Sequence, residues 1–218
     1  DIVLLDSGLS IIQDAIYGAR QTFARMQSYA LFRISETVRI VLFITLAILI
    51  YNDTPLSAIM IILLALLNDI PVMSIAYDHA PVHEHPIRWN MRETLFIASI
   101  LGFAGVISSF GLLMWLHAHH FSAALIQTIL FLKLDVAGHS TLYLTRTGRK
   151  HFWERPFPSL AFFLPAFGSR IAGTFVAACG ILMQAITWQT ILFIWIYATV
   201  WFLFNDQLKV LGYKLFDR

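Results

Sequence analysis

An amide, a carboxylic acid and a helix breaker stand within four positions of one another, as Asn68, Asp69 and Pro71, in the otherwise apolar run LLALLNDIPVMSIAYD, residues 63–78. A carboxylate can take up and release a proton or ligate a cation. Proline cannot donate to the carbonyl four residues earlier and its ring clashes there, so the spacing predicts a helix kinked or unwound beside the acid. Carbonyls freed in this way would add oxygen ligands to the site. Further polar residues interrupt apolar stretches elsewhere: Arg33, Glu36, Arg39, Lys133, Asp135 and Arg170, with His139 four residues after Asp135.

The setting of these groups follows from composition. Of 218 residues, 58% are hydrophobic and only 13% charged, and the mean hydropathy is +0.72. Soluble domains are nearer about 45–50% apolar and about 25% charged, so the chain is expected in a membrane. One cysteine, Cys179, excludes an internal disulfide and a cysteine-based zinc site. A net charge of +2 gives no reason to expect a nucleic-acid partner. The first residue is Asp and no signal-peptide pattern follows, so the start reads as a cut or as the interior of a longer polypeptide.

A membrane helix needs about 20 mostly apolar residues. Six segments meet that length: roughly Tyr29–Tyr51, Leu56–Ala76, Thr94–Leu116, Ser122–Leu144, Ser159–Gln184 and Trp188–Phe204. The expected fold is therefore all-α, a polytopic bundle of six transmembrane helices. Residues 1–28 are mixed and polar, like the edge of a soluble domain entering a helix, and residues 29–218 form the membrane domain with a C-terminal tail. Outside the spans, Lys and Arg fall only in the N-terminal segment, the second and fourth connections, and the tail. The first, third and fifth connections (YNDTP, HAHHF, QAITW) hold none. Such alternation predicts cytoplasmic termini and three hairpins. Tyr51, Trp115 and Trp188 stand at outer boundaries, where interfacial aromatics belong, and the glycines of GFAG and GSRIAGTFVAACG suit close helix packing.

Charges at mid-bilayer cost at least about 2.5–3.5 kcal/mol on insertion scales and usually face a cavity or a partner. Arg33 and Glu36 lie near the inner end of the first span and read as snorkelling side chains. Arg39 is 12 residues before Tyr51, or about 18 Å from the outer boundary at 1.5 Å per residue. Asp69 and Asp135 are each 13 residues inward along their spans, or about 20 Å. The shared level pairs Arg39 with Asp69. Asp135 and Lys133 read as a static charge pair, and with His139 as a candidate secondary polar site; His139 is also a candidate proton relay. Calcium needs six to eight oxygens, more than these spans offer. A lone acid whose ionisation depends on the approach of Arg39 suits a proton carrier. His79, His83 and His85, and His117, His119 and His120, lie in short connections and read as solvated surface, so no metal site is expected.

The run DIVLLDSGLSIIQDAIYGARQTFARMQSYALFRISETVRIVLFITLAILI resembles the end of the phosphorylation domain and the fifth membrane helix of P-type ATPases. IILLALLNDIPVMSIAYD resembles the sixth helix of the plasma-membrane proton-pumping branch, type IIIA, and LYLTRTGRKHFWERPFPS its connection between helices eight and nine. The resemblance covers essentially the whole chain. It implies helices five to ten of a ten-helix pump, with Asp69 matching the proton-accepting aspartate of the ALLND motif. Arg39 in ETVRIV matches the arginine that controls that aspartate, and Asn68 matches the residue before it. The D-K-T-G-T, T-G-E-S and G-D-G-x-N-D motifs are absent, so no catalytic residue is expected in this chain. ATP and Mg2+ would be cofactors of the complete pump, and the missing N-terminal portion, the lipid bilayer and protons its partners. Two alternatives remain open at this stage: a stand-alone six-span proton or cation channel or transporter, and a non-transporting membrane subunit.

Overall fold

A computed structural model of the chain describes residues 9–80 and 89–216. Six α-helices make up most of it: α1 (Leu9–Tyr51), α2 (Ala58–Ser74), α3 (Met91–Ala118), α4 (Ala123–Thr145), α5 (Leu160–Cys179) and α6 (Trp188–Phe216). A single 3-10 turn, Ile75–Tyr77, extends α2. No strand occurs among the described residues. His83 and His85 lie outside them.

Helix starts follow the sequence closely. Ser57, Asn90, Ser122 and Ser159 are extended residues whose side-chain oxygens accept from backbone N–H groups of the first turns of α2, α3, α4 and α5. Each supplies a partner for a donor that the helix itself cannot satisfy. At the other end of α5, Gly180 takes φ 68°, the left-handed conformation that closes a helix without a Cβ penalty.

Five helices are long and apolar enough to cross a membrane; α4 is the exception. At 23 residues it has the length, but it carries Lys133, Asp135 and His139. It also packs against all five of the others, and from Thr128 to Thr145 nearly every residue is buried. A helix enclosed by protein needs no lipid-facing stripe, and that enclosure lets it hold charged groups in an apolar assembly. The exterior has the opposite character: Ile62, Leu66, Met73, Leu160 and Leu192 are all exposed.

Two helices outrun the apolar segments that announced them. α1 is unbroken for 43 residues and passes residue 28 without interruption. α6 continues past Phe204 to Phe216 because Asp206 and Lys209 turn inward and are wholly buried. The Lys209 ammonium donates to the carbonyls of Leu144 and Lys150 and to Thr147 Oγ1, at 3.0, 2.7 and 2.9 Å. A cation thus covers the otherwise unpaired carbonyl end of α4. Asp206 accepts from His151 Nδ1 and the Phe152 N–H and pairs with Lys209 at 3.1 Å.

Close packing uses the glycines selectively. A Cβ at Gly102 would lie 2.6 Å from Val38 Cγ1, and one at Gly105 would collide with the Arg39 side chain, so α3 touches α1 along this edge. In α5 only Gly173 works this way, against the Asp135 carboxylate; Gly168 faces open space. Beyond α2, Asp78 is buried and binds the Arg146 guanidinium through both oxygens, at 2.7 and 3.3 Å. It also accepts from the Ser159 N–H at 3.0 Å, tying the ends of α2 and α4 to the start of α5.

Candidate functional site

Three elements frame the site. α1 presents Glu36 and Arg39 three residues apart, on one helix face. Arg39 Nη2 donates to Glu36 Oε2 at 2.5 Å and reaches the Leu134 carbonyl of α4 at 3.5 Å. Both side chains are buried. On α2, Asn68 turns inward and is 6% exposed. The three groups converge over Gly138 of α4: a Cβ there would lie 3.1 Å from Arg39 Nη2, 3.4 Å from Asn68 Oδ1 and 3.6 Å from Glu36 Oε1. Glu36 Oε1, Arg39 Nε and Asn68 Oδ1 have no hydrogen-bond partner, so the cluster retains unused polar capacity.

Asp69 lies outside that cluster. Its side chain is 56% exposed on the outer face of α2 and stands 3.7 Å from Arg33, itself 47% exposed. The expected pairing of Arg39 with Asp69 is therefore replaced by two pairs, Arg39 with Glu36 and Arg33 with Asp69. Depth along a helix fixes level but not azimuth. Successive residues of an α-helix are about 100° apart, so turning Asn68 inward turns Asp69 away. Glu36, expected to snorkel, is a buried partner.

Of the kinked or unwound helix expected at Pro71, the unwinding does not occur. α2 runs through Pro71 to Ser74 before tightening into the 3-10 turn. Proline still leaves the Leu67 carbonyl without its usual donor, and His139 Nε2 of α4 reaches that oxygen at 3.2 Å. A side chain from the neighbouring helix replaces the missing backbone bond, and the helix stays wound.

Lys133 and Asp135 do not pair. Residues two apart on a helix do not face each other. Lys133 is directed to α3, where its ammonium meets Ser109 Oγ at 2.5 Å. Asp135 is directed to α5 and packs on Gly173, with His139 Nδ1 3.5 Å from Oδ1. Arg170 is an interior residue: it donates to Ser140 Oγ and the Val136 carbonyl at 2.5 and 3.2 Å, and its guanidinium lies 5.3 Å from the Trp195 ring centroid. At the end of α3, His117 stacks on Tyr51, and the His119 ring lies tilted against Trp115 with centroids 4.3 Å apart.

The chain is 48% identical, over 98% of its length, to a putative cation-transporting ATPase of Methanocaldococcus jannaschii. It is 30% identical over its whole length to a probable proton ATPase of Leishmania donovani. A plasma membrane ATPase of Kluyveromyces lactis is 32% identical over 71% of the chain. The chain belongs to the P-type cation-transporting ATPases. No protein-family model matches it. It spans 27% of the length of the first two of these relatives and 17% of the third, and it corresponds to the membrane portion of such a P-type ATPase.

Sequence reasoning singled out Asn68, Asp69, Arg39 and Pro71 of this P-type ATPase segment, of which the structure brings Asn68 and Arg39 together, but missed Glu36 as the partner of Arg39. The i, i+3 spacing of the two was the available signal. It also missed Asp78 with Arg146 and Asp206 with Lys209, which the sequence places too far from any apolar centre to suggest burial.

Proposed function

We propose that this chain is the transport portion of an ATP-driven, proton-exporting pump of the plasma membrane, with both termini cytoplasmic and Asp69 as the residue that takes up the proton. The observation that carries the reading is the split between neighbours on α2. Asn68 is committed to the buried cluster with Arg39 and Glu36, while the Asp69 carboxylate stands on an open face beside Arg33. That face of α2 is where the rest of the pump, outside this chain, would approach the acid. The names of the Leishmania and Kluyveromyces relatives, a probable proton ATPase and a plasma membrane ATPase, support the choice of ion and membrane.

In this reading, covering the open face of α2 desolvates the carboxylate and favours its neutral, protonated form, while approach of a guanidinium favours the ionised form and release. Arg33 is the cation in reach. Arg39, neutralised by Glu36, holds a fixed place one layer further in, beside Asn68 over Gly138. ATP and Mg2+ would be handled by other portions of the pump, and this chain would supply the ion path.

The test is proton transport by the complete pump reconstituted in vesicles with an internal pH dye. Asp69→Asn should abolish ATP-dependent acidification. Acidification at the wild-type rate by that variant would remove Asp69 from the mechanism.

A further inference from the structure

The hydrogen bonds of His139 leave the imidazole little choice of protonation state. Its Nε2 faces the Leu67 carbonyl at 3.2 Å and its Nδ1 faces the Asp135 carbonyl at 2.7 Å. A carbonyl oxygen only accepts, so each bond needs a hydrogen on the ring nitrogen. Neutral imidazole carries one N–H; only imidazolium carries two. A buried charge needs a partner as well as hydrogen bonds, and one is at hand. The Asp135 carboxylate is fully buried, has Oδ1 within ion-pair distance of His139 Nδ1 at 3.5 Å, and has no hydrogen-bond partner on either oxygen. Gly173 leaves the space that this carboxylate fills.

We infer that His139 and Asp135 hold one shared proton as an imidazolium–carboxylate pair, and that this proton clamps α2 at the carbonyl Pro71 leaves free. The site is separate from Asp69, and its protonation does not depend on the pump reading. Its surroundings are defined on every side. α5 contributes Arg170, bonded to Ser140 and the Val136 carbonyl. α1 contributes Arg39 and Glu36, paired with each other. α4 itself adds Lys133, turned to Ser109, and Tyr143, whose ring packs edge-on against Phe162. α2 presents the Leu67 carbonyl to the ring, with Asn68 in the adjoining cluster.

Loss of the proton leaves a ring that can donate from one nitrogen only. Either the Leu67 or the Asp135 carbonyl then faces a bare lone pair, and the carboxylate keeps Arg170 as its nearest remaining cation. If Leu67 is the one released, the α4 hold on the turn that carries Asn68 and Asp69 is lost. His139 is in this sense a positioning residue whose grip depends on a proton.

The test reads that proton directly. The full-length protein, labelled with 15N-histidine and held in lipid nanodiscs, is examined by NMR; the His139 signals are those missing from His139→Gln. The expected wild-type result at neutral pH is a ring with both nitrogens protonated. Asp135→Asn should return the ring to a single N–H. A singly protonated His139 in the wild-type protein overturns the inference without recourse to any variant, and this includes the case in which the proton sits on Asp135. An imidazolium unchanged in Asp135→Asn overturns the pairing.

Discussion

Restoring an N–H at position 71 should make His139 less necessary, and the size of that effect can be worked from the contacts. His139→Leu removes the donor to the Leu67 carbonyl and the neighbour of Asp135. Leaving a buried acceptor unsatisfied costs about 1–3 kcal/mol, while interhelical hydrogen bonds in membranes average about 0.6 and reach about 1.7 kcal/mol. In Pro71→Ala the amide of residue 71 can take the Leu67 oxygen within α2, so that part of the cost of His139→Leu should vanish. The Asp135 part is common to both backgrounds and cancels in a double-mutant cycle. The expected coupling between the two positions is therefore about 1 kcal/mol, with His139→Leu the milder change in Pro71→Ala. Reversible unfolding in mixed micelles, run on all four proteins, measures it. Costs that add within about 0.3–0.5 kcal/mol, the usual agreement for independent sites, would refute the idea that His139 substitutes for the backbone donor.

Three further outcomes can be checked in the same unfolding assay. Arg146→Leu should destabilise by about 3–5 kcal/mol because it strands the buried Asp78 carboxylate, and adding Asp78→Leu should recover much of that loss. Gly105→Ala drives a methyl into the Arg39 side chain and should cost about 1–3 kcal/mol, whereas Gly168→Ala meets nothing and should stay within about 0.5 kcal/mol or gain a little helix propensity. Arg33→Ala breaks a half-exposed pair and should cost no more than about 1 kcal/mol, but Glu36→Ala leaves Arg39 buried without its carboxylate and should cost several times as much.

What could be read from the chain, and what could not, divides along physical lines. Apolar length is local, so the six helices were legible, two of them with their starts at Ser122 and Ser159, as was the concentration of polar groups at Asn68, Asp69 and Arg39; the caps at Ser57 and Asn90 were local signals left unread. Azimuth is not local. Which side of α2 faces α4 depends on how every helix packs, so counting residues placed Arg39 and Asp69 at one level yet could not show them turned apart. Pro71 taught a related lesson: its missing hydrogen bond was foreseeable, but whether the helix would open depended on His139, 68 positions away in the sequence (139 − 71). Lys209 and Asp206 were opaque for a third reason. Beyond the last apolar run, burial comes from loop segments such as His151 and Phe152 folding back onto α6, and periodicity carries no trace of that.

The unbroken length of α1 has a mechanical consequence. Along its N-terminal half, Phe23 lies edge-on to Trp89 and Arg25 Nε donates to the Asp78 carbonyl. From Arg25 to Leu9 is 16 residues (25 − 9), or about 24 Å; from Arg25 to Arg39 is 14 residues (39 − 25), or about 21 Å. The helix thus joins Leu9 to Arg39 as one continuous rod. A displacement imposed at Leu9 would be carried along it toward Arg39, and the close seat against Gly102 and Gly105 is what would resist it.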